Sequence, residues 1–249
     1  GLAATTIRTR LNYVQMAFRA AVDNQVIARN PAVRVKTPRQ RKREAKMRTL
    51  TADQVATALE SAGEFRLFVA VCVFAGLRLG EAAGLQVGDI DFERSVIAVR
   101  RQVQGTSIPS TRVVPPKAGS EREVFVPAEL IDMLRGVREW TPDTFVFRSV
   151  MGHLYNRNSA GEEWRRIRSA VGFDDEVTPH TFRHTFASNL IASGCDVVTV
   201  QRALGRSQPS ITLNVYSHLW ASAEDKTRAA TATFMGEVLA SADPVRTPI

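Results

Sequence analysis

The sequence predicts a mainly α-helical fold with a small antiparallel β-sheet, and three observations carry this. Apolar residues recur at three- and four-residue spacing in segments toward both ends of the chain. Period-two alternation is confined to short stretches between those helical blocks. Thr, Asp, Pro and Gly stand at positions that start and stop helices. At 249 residues the chain has room for one large domain, or for one domain and a piece of another.

The first element is a helix over residues 5–28. Ile7, Leu11, Val14, Phe18, Ala21 and Val22 form its apolar stripe, and Asn30-Pro31 breaks the pattern. One helix and a tail cannot bury a core. Residues 1–33 are therefore expected to be the end of a domain whose earlier part is absent. Residues 34–48 follow as a linker with eight basic side chains and one acid, Glu44. This segment carries +7 of the chain's net charge of +8. Taken alone, such a run is most often a solvated linker, and the same linker is basic for a reason where it lies along a phosphate backbone.

Residues 49–249 form the main domain. Thr51 and Gln54 match a capping box, so a helix is expected to about Ser61. A second helix, Glu64 to Phe74, carries the longest apolar run, which reaches Leu77. Eleven residues are too few for a membrane span, which needs about 20, so this is a core helix. Ser95 to Gln104 reads as a strand, with Ile97, Val99 and Val103 on one face and Arg101 as the charged exception. A loop follows to Pro116, then a strand at Val124–Val126. Thr178-Pro179 starts a helix that Gly194 stops. Asp196 caps a short helix ending at Gly205, and Ser210 is expected to cap the next, which carries Tyr216. An Ala-rich helix from about Ala223 to Ala240 closes the pattern.

The composition excludes disorder, a collagen repeat and a disulfide scaffold. The first 30 residues hold Arg8, Arg10, Arg19, Asp23 and Arg29 and no apolar run of the signal-peptide kind. Cys72 and Cys195 stand far apart in apolar contexts, which suits a reduced, cytoplasmic compartment.

The chemistry concentrates in T-P-H-T-F-R-H-T-F. His180, Arg183 and His184 share one face of the first turns of a helix. Free N–H groups and the helix dipole favour an anion there, so a cation and an imidazole added to them make a phosphate site. On these residues alone, a helix start with a surface arginine and a buried histidine is the favoured reading. Zinc is not expected: the metalloprotease pattern needs Glu after the first His, and Thr181 stands there.

Two further segments extend the pattern. Arg78 lies in A-G-L-R-L-G-E, and Tyr216 lies in L-G-R-S-Q-P-S-I-T-L-N-V-Y-S-H-L, 33 residues beyond Arg183. Taken in order, the three segments strongly resemble the tyrosine recombinase family, also called phage integrases, over about residues 5–235. The Ala/Arg/Val-rich composition resembles actinobacterial phage or integrative-element integrases.

The resemblance implies a tyrosine recombinase-like catalytic domain and a site-specific DNA recombinase acting through a 3′-phosphotyrosyl intermediate, with no metal or cofactor. It implies that Arg78, His180 and Arg183 bind and activate the scissile phosphate and that Tyr216 is the nucleophile, with His180 as its proton acceptor or hydrogen-bond partner. Lys117, before the second strand, matches the family's lysine on a β-hairpin turn; Arg112 and Arg122 are rivals for that role. Glu81 either supports Arg78 or pairs with surface charge. Arg206 stands where the family usually has His or Trp; it can donate bidentately to a phosphate oxygen but cannot act as a neutral imidazole. His184 is expected to hold a neighbouring segment by a hydrogen bond. Tyr13, Tyr155 and His218 are read as packing residues.

The implied partner is double-stranded DNA, clamped between a core-binding domain and the catalytic domain, with Arg34, Lys36, Arg39, Arg41, Lys42 and Arg43 crossing the backbone. A homotetramer on DNA is implied, with the C-terminal helix exchanged between protomers or else packed on its own domain. Accessory DNA-bending or directionality proteins fit the same picture, as does a cytoplasmic, nucleoid-associated location. Two rivals remain: a recombinase-like DNA-binding protein with impaired cleavage, suggested by Arg206, and a type IB topoisomerase.

Overall fold

The computed structural model describes residues 2, 4–37, 48–137, 140–205, 209–220, 228 and 231–238. The chain forms two units, Gly1–Lys46 and Met47–Ile249. Among the described residues no helix is long and apolar enough to cross a membrane.

In the first unit, α1 spans Ala4–Asp23. It stops five residues short of the expected end. The Asn24 amide donates to the Ala20 carbonyl at 2.8 Å, and Gln25 takes a left-handed φ of 59°, so the chain is wound off the helix before the proline. Residues 30–32 then fold back on α1. Asn30 Nδ2 donates to the Gln15 carbonyl at 3.0 Å, and Gln15 Nε2 donates to the Ala32 carbonyl at 2.9 Å. Tyr13 is 66% exposed on this unit. Arg34 and Lys36 are exposed; Arg39, Arg41, Lys42 and Arg43 lie outside the described residues.

In the second unit, α2 (Ala52–Glu60) opens on the expected capping box of Thr51 and Gln54. A 3₁₀ turn at Gly63–Phe65 leads into α3 (Arg66–Phe74), which is buried on nearly all sides. Phe65 stacks on Phe68 with centroids 4.4 Å apart, and Tyr155 meets Phe65 edge-on at 5.0 Å, so Tyr155 is a packing residue. The short α4 (Leu79–Ala83) follows.

Two small sheets come next. β1 (Ile90–Asp91), β2 (Val96–Val99) and β5 (Arg122–Phe125) form an antiparallel sheet in the order β1-β2-β5, while β3 (Gln102–Gln104) pairs with β4 (Arg112–Val114). The single strand expected over residues 95–104 is thus two strands, broken at Arg100 and Arg101. Both arginines reach the buried carboxylate of Asp89. Neighbouring side chains of a regular strand point to opposite faces, so the strand cannot continue through two residues that share one partner.

The sequence reading assigns no element between Val126 and Thr178, where the structure has two helices. α5 spans Ala128–Leu134 and α6 spans Arg157–Val171. The core face of α6 is Ala160, Trp164 and Ile167, capped by Asn156. α7 (Pro179–Ala192) and α8 (Val197–Leu204) start and stop as expected, with Asp196 accepting from Val198 and Thr199. α9 spans Pro209–Tyr216, so Ser210 lies inside the helix rather than at its cap. Within the last expected helix, residues 231–238 are helical.

Candidate active site

The site is built where α3 ends and α7 begins. After Phe74 the chain turns at Gly76, whose φ of 61° and the approach of the Phe186 ring leave no room for a Cβ. This turn delivers Arg78 to the N-cap of α4. Thr178-Pro179 starts α7, and its first turn presents His180 and Arg183. Arg78, His180 and Arg183 line one cavity of about 920 Å³, together with Gly80, Gln102 and Arg157.

Glu81 is the centre of the charge network, with a side chain only 1% exposed. Arg78 Nη1 donates to Oε1 at 2.5 Å, and the Arg78 backbone N–H donates to Oε2 at 2.9 Å. Arg122 Nη2 donates to Oε2 at 2.8 Å, and Arg183 Nη1 stands 4.0 Å from the same oxygen. Burial would raise the Glu81 pKa, but the hydrogen bond and charge of Arg122, then Arg78 and Arg183, outweigh it and hold the carboxyl at about 2. Glu81 therefore supports Arg78 rather than pairing with surface charge.

Arg183 is held by backbone. Its Nη1 donates to the Gly76 carbonyl at 2.5 Å, and its Nη2 donates to the Leu204 carbonyl. Burial, with Arg78 adding repulsion, lowers its pKa to about 9, which leaves it charged at neutral pH. His180 is exposed at the cavity, yet its pKa lies below the usual value. Crowding by protein atoms is the larger cause, and Arg183, Arg78 and Arg157 also disfavour the imidazolium. A neutral imidazole at this position can accept a proton.

Tyr216 is not in the cavity. It is fully buried, and its hydroxyl lies 2.8 Å from His184 Nδ1. The ring on Tyr216 is therefore that of His184, one turn beyond His180. The hydrogen bond expected of His184 is present, and the segment it holds is α9. Lys117 is exposed on a 3₁₀ turn, Lys117–Gly119, between β4 and β5. Those two strands pair with β3 and β2 instead of with each other, so the turn is not that of a hairpin. It is tied to the cavity where Arg78 Nη1 approaches Ser120 Oγ at 3.4 Å. Arg112 is exposed and donates to the Pro109 carbonyl at 3.4 Å, whereas Arg122 is buried. Arg206 and the side chain of His218 lie outside the described residues.

Arg157 is a cavity residue that the sequence reading missed. Its signal is the N-x-x-S capping pattern of Asn156 and Ser159, which puts it in the first turn of α6.

Comparison with known proteins gives one family. The model of the phage integrase family matches residues 48–222. The chain is 27% identical to a tyrosine recombinase XerC-like protein of Caldanaerobacter subterraneus subsp. tengcongensis, over 88% of this chain and 63% of that protein. It is 32% identical to tyrosine recombinase XerC of Rhizobium meliloti, over 55% of this chain and 40% of that one. The chain thus spans about half the length of the curated relatives it matches. Among solved structures, it resembles the Tn1549 transposon integrase in complex with a circular intermediate DNA, with a TM-score of 0.76 and 23% identity. That match covers 94% of this chain and 80% of the other. A lambda integrase dimer bound to a core site matches with a TM-score of 0.60 and 18% identity, over 84% and 74% of the two chains. These likenesses establish a shared fold.

Proposed function

The chain belongs to the phage integrase family, and from that premise we propose that it breaks and rejoins duplex DNA at specific sites through a 3′-phosphotyrosyl intermediate. The observation that carries the proposal is the convergence of Arg78, His180 and Arg183 on one cavity, with Tyr216 held by the next turn of the same helix.

The chemistry follows from these groups. The scissile phosphate enters the cavity, and the guanidinium groups of Arg78 and Arg183 neutralise its nonbridging oxygens. The Tyr216 oxygen attacks phosphorus and its proton passes to a neutral imidazole, for which His180 is the cavity residue. The bond to the 5′ oxygen breaks, and Lys117 supplies the proton that this leaving oxygen needs. One phosphodiester is exchanged for another, so no external energy source enters the balance. Attack on the phosphotyrosine by the 5′ hydroxyl of the strand cleaved in the partner duplex releases Tyr216 and joins new partners. Arg206 is assigned to the same phosphate or to the flanking backbone.

The basic segment of residues 34–48 is assigned to the DNA backbone, where each neutralised phosphate releases counterions. Assembly as a tetramer on two DNA sites is part of the proposal. Phe234 and Met235, 66% and 59% exposed on the helical residues 231–238, suit docking on a neighbouring protomer. Accessory bending or directionality proteins and residence on the nucleoid complete this reading.

The test is a covalent trap. The full-length protein and its Tyr216→Phe variant are incubated with nicked suicide duplexes from the attachment region, and denaturing gels are read for a protein–DNA adduct. An adduct formed by the unmutated protein and lost in the variant is expected. Tight binding without an adduct on a verified site would leave a DNA-binding protein without cleavage. Plasmid relaxation without recombinant products would leave a topoisomerase.

A further inference from the structure

The Arg122 side chain is almost wholly enclosed, and it does not line the cavity. Its side chain is 6% exposed, and each of its three nitrogens is committed. Nη2 donates to Glu81 Oε2 at 2.8 Å, Nε donates to the Ala203 carbonyl at 2.8 Å, and Nη1 donates to the Ser120 carbonyl at 3.3 Å. One planar group thus joins three separate pieces of the site. Glu81 orients Arg78. Ser120 closes the turn that carries Lys117. Ala203 lies in the last turn of α8, from which the chain leads on to α9 and Tyr216.

Two further facts mark this as a built arrangement. Gly205 has a φ of 55°, and a Cβ there would stand 2.8 Å from Arg122 Cδ and from Nη1. The glycine of L-G-R therefore serves both the end of α8 and the passage of the Arg122 side chain. Second, Ala203 and Leu204 present successive carbonyls at the negative end of α8, and Arg122 takes the first while Arg183 takes the second. Arg122 and Arg183 hold the same helix end and approach the same carboxylate.

The charges explain why a buried arginine is used. Around the single carboxylate of Glu81 stand Arg78, Arg122 and Arg183. Stability alone favours an apolar residue of similar volume at such a place, because burying a cation costs desolvation free energy. An excess of positive charge that faces a cavity is suited to an anion arriving from outside.

We propose that Arg122 is a positioning residue that fixes Arg78 through Glu81 and the end of α8 through Ala203, and so sets the phosphate-binding arginine against the segment that bears Tyr216. This rests on the recombinase reading above.

The test compares Arg122→Met, Arg122→Lys and Glu81→Gln, singly and as the Arg122→Met/Glu81→Gln pair, in the full-length protein. DNA affinity, melting temperature and single-turnover adduct formation are measured, the last per molecule competent to bind DNA and over a range of pH. A misplacement of about 1 Å can cost roughly 100-fold in rate, so Arg122→Met is expected to slow adduct formation by that order while affinity stays within about twofold. Arg122→Lys retains the charge on Glu81 but cannot span three partners, and is expected to recover only part of the rate. In the Glu81→Gln background the loss from Arg122→Met should shrink to a few-fold, because both substitutions break one connection. Arg122→Met should also show a second fall in activity on the acid side, below the limb set by His180, because Glu81 loses its strongest neutralising partner and protonates at higher pH. A merely structural arginine would lower the melting temperature of both variants and leave the rate per competent molecule and its pH profile unchanged, and that result overturns the proposal. The two failures are separate: an unmutated protein that forms no adduct sinks the recombinase reading, whereas an adduct formed at full rate by Arg122→Met sinks only this one.

Discussion

His184 Nδ1 and the Tyr216 hydroxyl lie 2.8 Å apart in the interior, with Tyr216 fully buried. The proposed nucleophile is thus bound by a residue one helical turn away from the cavity face. In the proposed reaction, attack on a phosphate held by Arg78 and Arg183 draws Tyr216 away from His184, and α9 with it. The hydrogen bond contributes about 0.5–1.5 kcal/mol net and burial of the ring roughly 1.5–3 kcal/mol more, which DNA binding or a protomer contact can supply.

His184→Phe tests that relationship. Loss of one hydrogen bond should lower the melting temperature by about 2–4 °C per kcal/mol for a domain of this size. Tyr216 should also become more reactive toward a phenol-nitrating reagent, as read by peptide mapping of that residue. Unchanged nitration at Tyr216 would mean that His184 does not restrain α9.

The pH dependence follows from His180. Its pKa is lowered from 6.5 by crowding and by Arg183, Arg78 and Arg157. The imidazole is therefore already neutral at pH 7. Adduct formation is expected to be flat across neutral pH and to fall only below about 6.5. His180→Asn should lower the plateau and abolish the acid limb. An acid limb that survives in His180→Asn assigns it to another group.

Much of this site is legible in the sequence because it is local. His180, Arg183 and His184 occupy one helix face after a Thr-Pro start, and nothing distant is needed to align them. Arg78 is placed by the glycine turn two residues before it, at Gly76. The pairing of β4 and β5 is different in kind. Whether two neighbouring strands form a hairpin depends on which partners compete, and β2 and β3 win here because Arg100 and Arg101 split the preceding strand on Asp89. Asp89, Arg122 and Glu81 all act across long sequence separations, which periodicity does not register. α6 was missed for another reason. Its buried face is narrow, and Arg and Glu supply six of its 15 residues.

Glu81 links stability to pH. Its carboxyl is held at about 2, well below its ordinary value of 4.5. A depressed pKa contributes stability that is present above about 4.5 and is lost as the pH falls toward 2. Glu81→Gln should cost on the order of 3 kcal/mol at neutral pH, because the enclosed guanidinium groups of Arg122 and Arg183, and the half-buried one of Arg78, lose their counter-charge. The difference in melting temperature between the two proteins should narrow progressively below pH 4.5. A difference that stays constant over that range would show that the carboxylate's charge is not what matters.

Thr212 gives an independent view of α9. Its side chain is fully buried, and its Oγ1 has no hydrogen-bond partner among the described residues. An unsatisfied buried hydroxyl costs about 1–3 kcal/mol, so the helix bearing Tyr216 is seated against a penalty. Valine has nearly the same shape without the polar atom. Thr212→Val is therefore expected to raise the melting temperature by a few degrees and to slow adduct formation several-fold, because the buried position of α9 becomes harder to leave. DNA affinity should hardly change, since Thr212 lies inside the protein. A variant that is more stable and cleaves at the unmutated rate would separate the seating of α9 from catalysis, and release of Tyr216 would then not govern the rate of the first strand cleavage.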